Sequence, residues 1–153
     1  MRNDARADKA AAVRIVLDTN VILSALLWRG TPYRLLTSIR QQMNAQLFSS
    51  TPLLEELADV LTRPSAAKRL ATINRSGADV LIDYVEAVNL VSPASIGRVV
   101  ASDPDDDVVI ATALAANANL IVSGDNDLLS LKQYQNIPIL SPADALGLIE
   151  ANK

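Results

Sequence analysis

Residues 13–18 are Val-Arg-Ile-Val-Leu-Asp, a run of branched aliphatic side chains that ends directly at a carboxylate. A short apolar run of this kind predicts a buried β-strand. A second such run, residues 119–123, also leads to an acid, Asp125, after a single glycine. In open parallel sheets, ligands bind beyond the carboxyl ends of the strands. We therefore expect Asp18 and Asp125 to lie at the same edge of one sheet.

Predicted strands and helices alternate along the rest of the chain. Three further strands are expected at residues 45–49, 90–91 and 138–140, which makes about five in all. Helices are expected between them, because apolar residues recur there at helical spacing and Ser, Thr, Asp and Pro stand at the starts. The alternation predicts an α/β fold with a doubly wound, mainly parallel sheet and helices on both faces.

The chain length of 153 residues suits a single domain, which we expect to span residues 13–150. Residues 1–12 are polar and rich in alanine, with charges of both signs. They lack the apolar stretch of a secretory signal, and a flexible N-terminal tail is predicted. No apolar run is long enough to span a membrane, so we expect no membrane association and a cytoplasmic protein.

The composition excludes several kinds of active site. The chain contains no cysteine and no histidine. Disulfides, thiolate zinc sites, cysteine nucleophiles and Ser-His-Asp triads are therefore ruled out. Catalysis by this chain has to use carboxylates, hydroxyls, amines or a metal ion held by oxygen atoms.

Two further acids are predicted to reach the edge where the strands end. Asp106 lies in the first turn of the helix that precedes the second of these strands, and this helix begins at the same edge. Glu56 follows Leu53 by three residues and precedes Val60 by four, which places it on the apolar face of its helix, whereas Glu55 faces solvent. A carboxylate on a buried face is costly unless it is paired or binds a metal ion.

Converging carboxylates repel one another, and a divalent cation removes that repulsion. Oxygen ligands favour Mg2+ or Mn2+, with Ca2+ as an alternative, and Mg2+ held by carboxylates and a phosphate is typical of phosphodiester cleavage. Taken singly, each acid also fits a helix cap or a surface position. The predicted catalytic and metal-binding residues are Asp18, Glu56, Asp106 and Asp125, with Asp103, Asp107 and Asp127 as secondary metal ligands.

Four segments, in this order, resemble the sequence motifs of the PIN-domain family. They are Val16-Leu17-Asp18-Thr19-Asn20-Val21, residues 50–57, residues 103–114 and residues 120–129. The resemblance extends from about residue 13 to residue 145. It implies a PIN-like doubly wound sheet, a Mg2+ or Mn2+ site and a metal-dependent endoribonuclease that hydrolyses RNA phosphodiester bonds.

Within the third motif, the resemblance leaves two positions open for the family's acid. Aligning the helix through residues 111–113 selects Asp106, whereas counting back from Asp125 without a loop insertion selects Asp107. We prefer Asp106, since a difference of one residue in the loop that follows the helix is easily accommodated.

The Asp-Pro-x-Asp-Asp pattern of residues 103–107 resembles the toxin components (VapC-like proteins) of bacterial toxin–antitoxin pairs. Toxins of this kind are commonly dimers and are silenced by a small antitoxin protein. The resemblance therefore implies an RNA substrate, an antitoxin partner and a homodimer.

The net charge of −3 is unevenly distributed along the chain. Six acids lie between residues 103 and 127, whereas seven basic residues lie between residues 29 and 75. We expect some of these seven to bind the RNA backbone, with little help from base stacking because aromatic residues are scarce. The candidates are Arg29, Arg34, Arg63, Lys68 and Arg69, with Arg40 and Arg75 from the same region.

Two other interpretations remain open. The chain also fits another phosphate-handling α/β protein, either receiver-like or an aspartyl-phosphate phosphatase, with Asp18 as nucleophile. Such sites usually need a lysine beside the phosphate, and only Lys132 is close in sequence to the acidic motifs. A non-catalytic PIN-like scaffold is the other alternative, although all four acids are present.

Overall fold

The computed structural model of the chain describes residues 12–97, 99 and 104–151, so the expected tail lies almost wholly outside the described residues. Within these residues, six strands form one sheet. They are β1 (Val13–Leu17), β2 (Ala45–Ser49), β3 (Val88–Leu90), β4 (Leu120–Val122), β5 (Gln133–Tyr134) and β6 (Ile137–Leu140). Their order across the sheet is β3-β2-β1-β4-β6-β5, and only the β5–β6 pair is antiparallel.

Eight helices connect these strands in the same part of the chain. They are α1 (Thr19–Leu27), α2 (Thr31–Gln41), α3 (Thr51–Val60), α4 (Pro64–Thr72), α5 (Gly77–Ala87), α6 (Pro104–Ala115), α7 (Asn126–Leu129) and α8 (Pro142–Ala151). Proline occupies the first turn of α2, α3 and α4, where its missing N–H costs no helical hydrogen bond. The start of α5 is fixed by a capping box between Ser76 and Asp79.

The two faces of the sheet are covered by separate apolar cores. Ile15 and Leu17 of β1 point into a core that includes Ile22 of α1, whereas Val16 points into the opposite core with Ile110 of α6. This alternation is the expected consequence of the two-residue period of a strand. The predicted α/β architecture, with a mainly parallel sheet and helices on both faces, is confirmed.

The register of the central strands brings their carboxyl ends to the same level. Leu17 of β1 pairs with Val122 of β4, and the backbone N–H of Asp18 donates to the carbonyl oxygen of Val122 at 3.0 Å. The residues that follow these two strands therefore emerge side by side.

Strand β5 was not predicted from the sequence, and β3 lies two residues before the expected position. The β5–β6 hairpin turns at Gln135 and Asn136, which have positive φ angles of 47° and 70°. Two consecutive positive φ angles are typical of a type I′ turn. A polar strand of two residues leaves no apolar alternation in the sequence, which explains why β5 was missed.

None of the helices in the described ranges is long and apolar enough to cross a membrane. The longest of them, α6, has 12 residues. A transmembrane helix needs about 20.

Candidate active site

The four predicted acids line one small cleft at the edge where β1 and β4 end. The cleft has a volume of about 60 Å³. Its lining residues are Asp18, Thr19, Asn20, Glu56, Asp105, Asp106, Val109 and Asp125. Five of these eight described lining residues carry carboxylates and none is basic, so the cleft is suited to a cation.

Asp18 forms the buried floor of the cleft, with 6% of its surface exposed. Its Oδ1 accepts a hydrogen bond from the Val21 N–H at 3.0 Å and so caps α1, while its Oδ2 accepts one from the Ser123 hydroxyl. Burial raises the pKa of this carboxyl, the bonds from Ser123 and Val21 oppose that rise, and the negative charge of Asp125 adds to it. Ionisation of Asp18 therefore costs free energy in this buried position, and a nearby cation would offset that cost.

Ser123 connects the two acids that follow the central strands. Its hydroxyl donates to Asp18, and its Oγ accepts from the backbone N–H of Asp125 at 2.9 Å. Ser123 is fully buried. Ser123 was not among the residues selected from the sequence. The signal that could have found it is its position, directly after an apolar strand and two residues before an acid.

Asp106, Asp125 and Asp127 bring their carboxylates together. One oxygen from each residue lies within 4.8 Å of the others. Asp127 reaches this group because α7 begins in a tight turn, in which the Asp127 N–H donates to Oδ1 of Asp125 at 2.7 Å. The group contains two of the four primary candidates and one secondary candidate, whereas Asp18 and Glu56 line the same cleft beside it.

Glu56 is held at the cleft by a residue that also escaped the sequence reasoning. The hydroxyl of Thr19, the first residue of α1, donates to Oε1 of Glu56 at 2.5 Å. Glu56 is half-buried and its neighbour Glu55 is exposed, as the helical spacing predicted. At the start of the same helix, the buried Ser50 and Thr112 hydroxyls form a 2.8 Å hydrogen bond that joins α3 to α6.

A profile of the family described as PIN domain matches residues 14–127, a span that contains every carboxylate of the cleft. The chain belongs to the PIN-domain family. PIN domains are generally nucleases, and they use divalent metal ions. The family that the sequence motifs predicted is thus confirmed.

Known proteins similar to this PIN domain include a relative in sequence and a solved structure. The uncharacterized protein MJ1680 of Methanocaldococcus jannaschii is 30% identical over 121 residues, which cover 78% of this chain and 76% of the relative. The crystal structure of VapBC2 from Rickettsia felis bound to a DNA fragment from their promoter contains a chain with the same fold. That chain superposes with a TM-score of 0.57 and 15% identity, over 84% of this PIN domain and 98% of its own length.

The carboxylates of this PIN domain fit a hard divalent cation. Oxygen atoms on opposite sides of a Mg2+ ion are about 4.2 Å apart, twice the Mg–O distance. The ligand oxygens of Asp106, Asp125 and Asp127 all lie within 4.8 Å of one another, so the group is comparable in size to the coordination shell of one ion. The donors are all carboxylate oxygens, which suits Mg2+ or Mn2+.

The two remaining acids of the third motif are placed differently. Oδ1 of Asp107 accepts a hydrogen bond from the backbone N–H of Val99 at 3.1 Å, and Asp107 does not line the cleft. This arrangement supports the choice of Asp106. Asp103 lies outside the described residues.

The basic residues expected to bind RNA do not line the acid cleft in the described part of the chain. Arg34 and Lys68 are exposed, and Arg63 forms a surface ion pair of 3.2 Å with Asp59. Arg29 and Arg69 line a separate groove together with Arg40 and Arg75.

The raised pKa of Asp18 predicts a pH-dependent penalty on the metal-free fold. An acid whose folded pKa exceeds its unfolded value is protonated more readily in the folded state. The ionised Asp18 carboxylate therefore lowers the stability of the metal-free fold. This loss of stability is absent at low pH and grows as pH rises from about 4 through the folded pKa. In EDTA, we expect the melting temperature of Asp18→Asn to exceed that of the parent by a margin that grows over this pH range.

The measurement is the difference in melting temperature between the parent and Asp18→Asn at a series of pH values. Exposed Asp144 provides a control, since Asp144→Asn removes one charge outside the cleft. A difference between Asp18→Asn and parent that shrinks as pH rises would show that the Asp18 carboxylate is not disfavoured by the fold.

Proposed function

We propose that this PIN domain is a metal-dependent endoribonuclease that hydrolyses RNA phosphodiester bonds with Mg2+ or Mn2+. The observation that carries the proposal is the set of three carboxylates within 4.8 Å, next to the buried Asp18. An acidic cleft of this kind repels an RNA phosphate unless a cation neutralises it. Metal and substrate are therefore expected to bind the cleft together.

In this proposal each acid has a defined role. Asp106, Asp125 and Asp127 hold the metal ion, which when bound polarises the phosphate and lowers the pKa of a bound water. Asp18 supplies buried negative charge and, through Ser123, fixes the segment that carries Asp125. Glu56, whose Oε1 accepts a hydrogen bond from Thr19, takes a proton from the attacking water in this proposal.

We also propose that the protein is the toxin of a toxin–antitoxin pair, that it forms a homodimer in the cytoplasm and that a small antitoxin protein silences it. The shared fold with a chain of the Rickettsia felis VapBC2 complex supports the antitoxin partner in this proposal. Expression of the protein alone is expected to arrest bacterial growth, and co-expression of the small protein encoded beside it should restore growth. Arrest that persists with an Asp106→Asn variant would argue against toxicity by cleavage.

The nuclease proposal is tested by incubating the purified protein with end-labelled single-stranded RNA. We expect internal cleavage with Mn2+ or Mg2+ and none with excess EDTA. The control is Asp106→Asn purified in parallel, because a contaminating ribonuclease would cleave equally in both preparations. RNA that is bound but never cut with any divalent metal would favour the non-catalytic scaffold.

The aspartyl-phosphate alternative has little support from the site. A nucleophilic aspartate needs an accessible oxygen, but both Asp18 oxygens accept hydrogen bonds and the residue is buried. Lys132 is exposed and does not line the described cleft.

A further inference from the structure

A second groove, lined by helices α1, α2, α4 and α5 and the segments that follow α1 and α4, collects arginine side chains. It has a volume of about 280 Å³. Its charged lining residues are Arg29, Arg40, Arg69, Arg75 and Asp83. With four guanidinium groups and one carboxylate, this groove is positively charged, whereas the acid cleft is negatively charged. Guanidinium groups bind phosphate in a bidentate geometry, so the groove is suited to a phosphodiester backbone.

Two of the arginines are held in place by neighbouring groups. Nη1 of Arg29 donates to the Tyr33 hydroxyl at 2.8 Å, and its guanidinium lies 4.5 Å from the centre of the Tyr33 ring. Nε of Arg69 donates to the carbonyl oxygen of Leu27 at 2.7 Å. Because these contacts are to neutral groups, the positive charges of Arg29 and Arg69 are ordered without being neutralised.

The other two arginines, Arg75 and Arg40, differ in how much positive charge they can offer to a phosphate. Arg75 forms a 2.7 Å ion pair with Asp83, which offsets part of its charge. The Arg40 side chain is exposed and makes no hydrogen bond or ion pair within the described residues. Among the described residues, no side-chain partner therefore competes with a phosphate for Arg40.

The outer face of α1 connects the acid cleft to the arginine groove. Asn20 lines the cleft, and Ser24 and Trp28 follow it at four-residue intervals on the same helical face. Trp28 is 41% exposed, and Arg69 lies 5.8 Å from its ring centre. The helix therefore offers a polar path from the cleft that ends at an exposed aromatic ring beside the groove.

We infer that the arginine groove is a second binding site for the backbone of single-stranded RNA whose scissile phosphate occupies the acid cleft. This inference rests on the proposed ribonuclease activity. Residues 18 and 26 are separated by about 12 Å along α1. That distance corresponds to about three to four stacked nucleotides, and to fewer when the strand is extended. The site therefore selects substrates longer than the few nucleotides that fill the cleft.

The test compares two double variants that each remove two positive charges. Arg29→Gln/Arg40→Gln removes two charges of the groove. Arg34→Gln/Arg63→Gln removes two exposed charges that were also RNA-binding candidates from the sequence but that do not line the groove, so the inference predicts that they contribute little. Binding of a fluorescent oligouridylate of about 12 nucleotides is measured in EDTA, so that no cleavage occurs. We expect the groove variant to bind about tenfold more weakly, with a log–log salt slope smaller by about 1.4. The control variant should change affinity less than about threefold.

Cleavage in Mn2+ provides the second readout. For the longer RNA, the groove variant should raise KM about tenfold and leave kcat unchanged, whereas cleavage of a trinucleotide should not respond. Melting temperatures check that both variants are folded. Equal losses in the two variants, or none in either, would overturn the inference.

Two outcomes separate this inference from the proposed function and from another occupant. If the parent never cleaves RNA but the groove variant loses RNA affinity in EDTA, RNA binding at the groove is supported and the nuclease proposal is wrong. If a polyglutamate peptide of similar length binds the groove more tightly than the RNA does, the site belongs to an acidic protein segment and the inference is wrong.

Discussion

Replacement of Asp106 by asparagine is expected to lower the rate of RNA cleavage by at least about a thousandfold, equivalent to about 4 kcal/mol of barrier. Asp106 is buried, and its carboxylate lies within 4.8 Å of those of Asp125 and Asp127, which hold the metal ion in the proposed function. The adjacent Asp107→Asn should retain activity within about threefold. Its Oδ1 accepts from the Val99 N–H outside the cleft, and an amide oxygen can take over that bond.

The comparison of Asp106 with Asp107 is informative because the two variants differ only in position along one helical turn. Cleavage rates in Mn2+ are measured together with the rise in melting temperature that Mn2+ produces in each variant. Asp106→Asn should lose both the activity and the metal-induced rise, whereas Asp107→Asn should keep both. Equal losses in the two variants would show that the turn as a whole, and not the Asp106 carboxylate, supports cleavage.

Asp18→Asn is expected to reduce cleavage by at least about a hundredfold, or about 2.7 kcal/mol, without weakening the metal-free fold. Asparagine keeps the cap on α1, since its side-chain oxygen accepts from the Val21 N–H as well as aspartate does. The lost charge is one that burial and Asp125 already disfavour. The variant should therefore melt at the same temperature as the parent in EDTA, or higher.

The melting temperature in EDTA and the cleavage rate in Mn2+ have to be measured on the same preparation. Asp144→Asn, which removes an exposed charge from α8, should match the parent in both. An Asp18→Asn variant that melts early but still cleaves RNA would identify Asp18 as a structural cap and remove it from the proposed site.

The sequence predicted the main features of the fold because they depend on strong local patterns. The apolar run of β1 ends at Asp18, and that of β4 is followed closely by Asp125. The carboxyl ends of parallel strands lie at the same edge of a sheet. These facts were enough to place Asp18 and Asp125 in one cleft. Helical spacing was enough to turn Glu56 inward and Glu55 outward.

The remaining features depend on contacts between distant segments or on very short elements. The sequence named Asp127 only as a secondary metal ligand, because a helix of four residues has no periodicity from which to predict where its side chains point. The role of Ser123 depends on the register of β1 against β4. The arginine groove draws on four helices, and nothing in the order of residues shows that Arg40 and Arg75 share it.

The pairing of β1 with β4 has a consequence for the protein during its synthesis. The hydrogen bond between Ser123 and Asp18 joins residues 105 positions apart. A nascent chain is made from its N-terminus, and long-range strand pairing forms late because loop closure has to precede it. Asp18 at the floor of the cleft and the acids that follow β4 therefore cannot meet until that strand has left the ribosome. If the protein is the proposed ribonuclease, we therefore expect the unfinished chain not to cleave the message from which it is being translated.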